Sequence, residues 1–96
     1  MERNDWIQHC EKVDRLLRQI RQRGSPSFTL EEDKHFQESL DANELGIAFD
    51  LLCWKFGETG RQISGDVYEL LIGAGSMMDI SPSVWTKLKP LVRRSE

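Results

Sequence analysis

The sequence predicts an all-α domain, a small bundle of four to five helices built around a buried central helix at about residues 41–56. Apolar residues recur at spacings of three and four in successive segments, and residues that start or stop helices separate these segments. No stretch alternates between apolar and polar residues as a half-buried strand does. A chain of 96 residues with 39% hydrophobic and 30% charged side chains suits one globular domain.

The central segment, DANELGIAFDLLCWKF, is apolar over most of its circumference when set on a helix. One face carries Leu45, Ala48, Phe49, Leu52 and Phe56. A second apolar line carries Ile47, Leu51 and Trp54, which leaves only Glu44, Gly46, Asp50 and Lys55 to meet water. We therefore expect this helix to be buried on nearly all sides.

Capping residues set the expected limits of the central helix. Asp41 and Glu44 have the spacing of a capping box, in which two side chains satisfy the free N–H groups of a first turn. Gly57 follows Phe56 and offers the left-handed backbone that ends helices. These signals predict a helix from about residue 41 to residue 56.

Two helices are expected before the central one. The first runs from about Asn4 to Arg23 and stops at Gly24, because a glycine followed by a proline does not continue a helix. The second opens near Leu30 behind a capping box formed by Thr29 and Glu32. Its apolar content is thin, so it buries little and presents a mostly charged surface.

Two more helices are expected after the central one. Ser64 caps a helix whose core stripe ends in Met77 and Met78, which we interpret as core filler. Ser81 caps the last helix with Pro82 at its first position. Pro90 lacks a backbone N–H, which predicts a break near residue 89.

The chain is expected to form one domain over residues 1–96, with frayed ends at 1–3 and 93–96. Its first residues contain no apolar run, so we expect neither a secretion signal nor a membrane span, and we expect a cytoplasmic protein. Two cysteines, Cys10 and Cys53, are expected to be free thiols on apolar helix faces.

Charge is distributed unevenly along the chain. Residues 28–79 hold eleven acidic and three basic side chains, whereas both flanking segments carry a small positive excess. An acidic middle repels nucleic acid and attracts a basic protein surface. The prediction is a basic protein partner, with no direct nucleic-acid or membrane partner.

The sequence offers no convergent set of nucleophile, base and stabiliser, so we predict that the protein is not an enzyme. His9 and Cys10 are adjacent on a helix and point about 100° apart. The cysteines and histidines lack the CxxC or HxxxH spacing of metal ligands, and we predict no metal or cofactor. The remaining function is binding.

Two stretches, ELGIAFDLLCWKF (Glu44–Phe56) and ISGDVYELLIGAGSMMDI (Ile63–Ile80), resemble the MafI-like and contact-dependent growth inhibition immunity proteins of bacteria. The shared pattern is an acidic residue before a leucine, a Leu-Cys pair, and an Ile-Ser step before a helix that ends in methionine. Trp85 and two later leucines extend the resemblance over about residues 40–92. The glycines and Arg61 in the loop depart from the pattern and leave the subfamily and its toxin open.

The resemblance implies a protein that neutralises the C-terminal domain of a toxin, and many such toxins are nucleases with basic clefts. We expect a monomer, with a homodimer as the alternative. It supplies no contact residues, so the expected interface rests on charge, with one aromatic anchor. The residues expected to bind the partner are Glu31, Glu32, Asp33, Glu38, Asp41, Glu44, Asp50 and Tyr68.

Two alternatives remain open at this point. The second interpretation is a regulatory or scaffolding helical domain that binds another protein or itself, with Ile47, Leu51 and Trp54 forming a dimer seam. A nucleic-acid binder that uses the first helix and the basic tail is a third interpretation, and the acidic middle argues against it.

Overall fold

A computed structural model describes residues 3–93 and shows five packed α-helices, which confirms the predicted all-α bundle. The helices are α1 (Arg3–Gly24), α2 (Leu30–Asp41), α3 (Leu45–Thr59), α4 (Gly65–Met77) and α5 (Ser83–Thr86). α5 ends at Thr86, before the break predicted near residue 89, and Pro90 lies inside a 3-10 turn, Lys89–Leu91. Residues 1–2 and 94–96, which include most of the expected frayed ends, lie outside the described part of the chain.

Two very short strands, β1 (Ile63–Ser64) and β2 (Val92–Arg93), form a parallel pair with Ile63 opposite Val92. The pair attaches the end of the chain to the start of α4, so Arg93 is held in place where the sequence suggested fraying. A strand of two residues is too short to show alternation, and the sequence pattern therefore missed it.

The core lies between α3 and its neighbours. α1 packs along α4 and crosses α3, while α2 packs on α3 and α5 closes one end. The predicted face of α3, from Leu45 to Phe56, is buried. Val13, Leu17 and Ile20 of α1 meet it with no exposed surface.

The expected limits of the central helix are wrong by several residues. Asp41 is the last residue of α2, and α3 begins at Leu45 with Glu44 at its cap position and no side-chain cap bond. Asn43 (φ 58°) takes the left-handed conformation that separates the two helices. At the other end α3 continues past Gly57 to Thr59, and Gly60 (φ 63°) supplies the stop.

The expected burial of α3 is also wrong on its outer side. Ile47 and Trp54 keep 44% and 48% of their surface exposed, and Leu51 is half-buried. Lys55, which was expected to meet water, is only 7% exposed. Neighbouring helices cover α3 on the sides of α1, α2 and α5, and the side that carries Ile47 and Trp54 has no such cover.

The capping predictions are correct for α2 and α4 and wrong for α3 and α5. Thr29 and Glu32 form a full capping box on α2, and the Ser64 side chain accepts a hydrogen bond from Val67 N. The last helix starts one residue later than predicted, with Pro82 at the cap position and no side-chain cap. The Ser81 hydroxyl instead lies 3.1 Å from that of Ser83.

The small residues of α4 allow a close approach between helices. A Cβ atom built on Gly75 would lie 2.2 Å from Cζ3 of Trp85, whose ring is 5% exposed. Trp85 also meets Phe49 edge to face, with ring centroids 6.0 Å apart. Gly75 is therefore required by packing, and it lets α5 lie against the core.

Candidate protein-binding surface

The carboxylates of α2 divide into two groups with different surroundings. Glu32 and Asp33 face neighbouring helices, where Lys55 Nζ lies 2.9 Å from Glu32 Oε1 and Arg21 Nε lies 3.0 Å from Asp33 Oδ1. These ion pairs fasten α2 to α3 and to α1. Binding by Glu32 and Asp33 stays a prediction, and the structure gives both of them a role within the fold.

Glu32 is the most constrained of the predicted site residues. Its carboxylate accepts the backbone N–H of Thr29 at 2.8 Å while it pairs with Lys55. The Thr29 backbone hydrogen bond, followed by the Lys55 ammonium, lowers the pKa of Glu32 below its ordinary value of 4.5. Both interactions favour the ionised form, so Glu32 stays charged over a wider pH range than a free glutamate.

Glu31, Glu38 and Asp41 lie on the outer face of α2 and are exposed. Their contacts with basic groups are long: Glu38 is 3.9 Å from Lys34, and Asp41 is 3.9 Å from Arg18. Exposed pairs at such distances are worth little energy and are screened by salt. These carboxylates are therefore available to a partner at small cost.

The outer side of α3 carries an apolar stripe that the sequence assigned to the core. Ile47, Leu51 and Trp54 are four and three residues apart, so their side chains form one row along the helix. The exposed carboxylates Glu44 and Asp50 lie at its flanks, and the exposed Glu58 continues the row. The spacing of this second row was visible in the sequence, but the number of elements that would cover it was not.

Trp54 is held between a cation and a shallow concavity. Lys55 Nζ lies 5.4 Å from the centroid of the Trp54 ring, and the ion pair with Glu32 fixes the position of that ammonium group. On its other side Trp54 borders a concavity of about 480 Å³, whose other walls include Leu88, Pro90 and Leu91. A half-exposed indole beside a concavity is a common form of anchor in protein interfaces.

Helix geometry brings the α2 carboxylates toward the α3 stripe. Glu32 faces α3 and Asp33 faces α1, so the side of α2 that continues outward from Glu32 carries Glu31 and Glu38. This side adjoins the outer side of α3. We call the combined surface the α2–α3 face, and its members are Glu31, Glu38, Glu44, Ile47, Asp50, Leu51, Trp54 and Glu58. Asp41 lies outside this face, because it is on the opposite side of α2 from Glu32 and turns toward Arg18 of α1.

Tyr68 is the predicted site residue that the structure separates from the others. It lies on α4, which packs along α1, and it is half-buried against the core. The aromatic residue that the α2–α3 face does contain is Trp54. The sequence analysis assigned Trp54 to the core and gave it a contact role only in the dimer alternative, because a tryptophan in an apolar helix is more often buried.

The described residues show little reactive chemistry. They contain no group of three His, Cys, Asp or Glu side chains placed to hold a metal ion. Burial, the main cause, raises the pKa of the Cys53 thiol to about 12, with a smaller contribution from Asp50, and this keeps Cys53 protonated and inert. No helix in the described range is long and apolar enough to cross a membrane.

No protein-family model, curated protein or solved structure matches this chain.

Proposed function

We propose that this chain is an immunity-type binding protein that neutralises a toxin domain, with a nuclease as the favoured target, by covering its basic active-site region with the α2–α3 face. The main support is the exposed row of Ile47, Leu51 and Trp54 with carboxylates along its flanks. Apolar anchors inside a charged rim are the usual arrangement of protein interfaces. The resemblance of residues 40–92 to immunity proteins supplies the type of partner.

The charges of the face define the partner's chemistry. Its five exposed carboxylates are Glu31, Glu38, Glu44, Asp50 and Glu58, and among the described side chains their one ion pair is the 3.9 Å contact of Glu38 with Lys34. Lys55 is buried and paired with Glu32. Two exposed lysines lie at the edges of the face, Lys34 beside Glu38 and Lys87 in the concavity beside Trp54, and the carboxylates outnumber them. The face is therefore complementary to a positively charged surface with an apolar patch at its centre.

A nuclease cleft has such a surface, since it must attract phosphates. An acidic inhibitor occupies the place of the phosphate backbone and gains a fast electrostatic approach. Trp54 and the apolar row then supply the contacts that slow dissociation. Inhibition follows from exclusion of the substrate and requires no reactive group on this protein.

The test is co-expression with candidate toxin C-terminal domains, together with a measurement of association between this protein and each purified domain. Trp54→Ala is expected to weaken binding at least tenfold, mainly through faster dissociation. Glu31→Lys and Glu38→Lys are each expected to lower the association rate and to lose protection when combined.

Two controls separate the face from general surface effects. Ile72 and Glu69 are exposed on α4, away from the face, so Ile72→Ala and Glu69→Lys match the test variants in kind. Both should protect as well as the unmodified protein. If Trp54→Ala and the α2 reversals protect equally well while their folding is intact, the proposed role of the α2–α3 face is wrong.

Self-association through the same row is the second candidate, because exposed Ile47 and Trp54 on one helix also suit a dimer seam. A two-fold axis at Leu51 would place Glu44 of one copy against Glu58 of the other, on both sides of the axis. Like charges in contact oppose such a dimer. Sedimentation at several protein concentrations distinguishes a dimer from a monomeric inhibitor.

A further inference from the structure

A second apolar concavity lies between the start of α1, the end of α4 and the start of α3, where Leu45 and Gly46 line it beside the α2–α3 face. Its volume is about 390 Å³, and its walls include Trp6, His9, Cys10, Asn43, Met77 and Met78. A smaller concavity of about 260 Å³ adjoins it, with Trp6, Cys10 and Asn43 shared between the two. We call the pair the α1–α4 cleft, and the α2–α3 face contains none of these residues.

The walls of the cleft are pre-formed. Asn43 (φ 58°) and Asp79 (φ 56°) both adopt the left-handed conformation at its rim. Hydrogen bonds from their backbone N–H groups, to Leu40 O at 3.0 Å and to Ser76 O at 3.2 Å, fix these turns. The Trp6 ring stacks on His9, with centroids 5.9 Å apart. Because the cleft is pre-formed, binding of a partner costs little conformational entropy of the cleft residues.

The described charges along the cleft are negative. Asp79 lines the larger concavity, and Glu11 and Asp14 line the smaller one. Asp14 is already paired with Arg18, whereas no ion pair of the described side chains engages Glu11 or Asp79. No lysine or arginine is among the described lining residues. An apolar floor with free carboxylates at the rim selects an apolar group that has a cation beside it.

The exposure of the walls indicates a protein segment as the occupant. Trp6 and its neighbour Ile7 keep 54% and 45% of their surface exposed. A pocket that binds a small molecule buries most of the surface of that molecule. Walls as exposed as Trp6 and Ile7 do not enclose a small molecule in this way. A helix laid across the cleft would insert its apolar side chains and cover Trp6 with its own backbone. Methionines suit such a groove because their side chains adapt to different shapes.

We infer that the α1–α4 cleft is a docking site for an amphipathic basic segment of a partner protein, with its leucine-like side chains against Trp6, Met77 and Met78 and its lysine or arginine residues beside Glu11 and Asp79. This site shares no residue with the α2–α3 face, and a partner with two contact regions would use both. Trp6→Ala tests the cleft, and Trp54→Ala, which tests the face, serves here as a control.

The probe is a designed 18-residue helical peptide with leucine at i, i+3, i+4 and i+7 spacing and lysine elsewhere. The protein carries ¹³C-methyl methionine, and its three methionines are Met1, Met77 and Met78. We expect the Met77 and Met78 methyl signals to shift and saturate as peptide is added. The same peptide with glutamate in place of lysine should shift them at least tenfold more weakly.

Variants locate the site and separate charge from shape. Trp6→Ala should weaken the affinity read from the Met77 signal at least tenfold, because buried tryptophans dominate such contacts. Asparagine tolerates the left-handed backbone at position 79. Asp79→Asn should therefore weaken the peptide affinity about two- to fivefold. Trp54→Ala and Ile72→Ala should leave it unchanged within twofold. Circular dichroism of each variant checks that the fold is retained.

Three results would overturn the inference. The Met77 and Met78 signals do not move; the glutamate peptide binds equally well; or Trp6→Ala retains its fold and its affinity. None of these outcomes affects the proposed function, which depends on Trp54 and the α2 carboxylates.

Discussion

At the scale of single residues, the neighbours Trp54 and Lys55 show the reverse of their usual placement. The indole is half-exposed and the lysine is buried, with its ammonium group 2.9 Å from Glu32 and 5.4 Å from the Trp54 ring. A buried ammonium group is tolerated because it is paired. The pair therefore joins the fold to the candidate surface, since it fixes α2 on α3 and supports the anchor at the same time.

The Glu32 carboxylate should make stability depend on pH in a defined direction. Its folded pKa lies below the ordinary 4.5, so the ionised group stabilises the fold fully above that pH and less as pH falls through the lowered folded value. We expect Glu32→Gln to be less stable than the unmodified protein at pH 7, with the difference shrinking below pH 4.5. Urea unfolding at pH values from 3 to 7 measures this difference in stability.

Glu31→Gln is the control for that measurement, because it removes a carboxylate from the same turn without breaking the cap or the Lys55 pair. Its unfolding midpoint at pH 7 should change less than that of Glu32→Gln. A difference between Glu32→Gln and the unmodified protein that stays constant from pH 7 to pH 3 would contradict the assigned ion pair.

Gly75 and Gly73 should respond to the same substitution with opposite signs. A Cβ on Gly75 would lie 2.2 Å from the Trp85 ring, whereas a Cβ on Gly73 meets nothing within 4 Å. Gly75→Ala should therefore lower the free energy of unfolding by about 1–3 kcal/mol through overpacking. Gly73→Ala should raise it by up to about 1 kcal/mol because alanine favours a helix interior. Thermal or urea unfolding measures both changes in stability. Equal effects of Gly75→Ala and Gly73→Ala would contradict the close contact between Gly75 and Trp85.

At the scale of elements, the sequence predicted the helices well and their ends less well. Ser25, Asn43 and Asp79 all have positive φ next to helix ends. A glycine precedes Ser25 in the sequence, and none adjoins Asn43 or Asp79. Gly24, expected to stop α1, is its last residue, and a Cβ there would lie 2.6 Å from Phe56 Cζ. A glycine needed for packing looks the same in a sequence as a glycine needed for a turn.

Side-chain capping should matter for α2 and not for α5. Thr29 caps α2, a helix with few buried residues, and Ser81 makes no cap on α5. Thr29→Ala should lower the free energy of unfolding by about 1 kcal/mol and speed hydrogen exchange in the first turn of α2. Ser81→Ala, the matched change, should stay within about 0.5 kcal/mol. Equal losses in the two variants would contradict the cap assignment.

At the scale of the whole molecule, the candidate surface was only partly predictable. The sequence predicted exposed carboxylates such as Glu31 and Glu38, because the second helix has few apolar residues to bury. It did not predict the exposure of Ile47 and Trp54, which depends on how many elements surround α3. Nor did it predict the pairing of Glu32 and Asp33, because their partners lie on other helices.

The sign of the salt dependence should separate the two kinds of partner for the α2–α3 face. Salt screens exposed charges, with a Debye length of about 10 Å at 0.1 M and 3 Å at 1 M. Binding to a basic partner is an attraction between opposite charges, so its association rate should fall as salt rises. A two-fold dimer opposes Glu44 to Glu58, so raising salt should strengthen it.

The measurement pairs sedimentation of the protein alone with association kinetics against the toxin domain, each from 0.05 to 0.5 M salt. We expect a monomer throughout and an association rate that drops at least several-fold across this range. Glu31→Lys with Glu38→Lys should flatten that drop, and Glu69→Lys should change it less, because Glu69 lies on α4 outside the face. A dimer that tightens with salt and loses its affinity in Trp54→Ala would instead assign the exposed row of α3 to self-association.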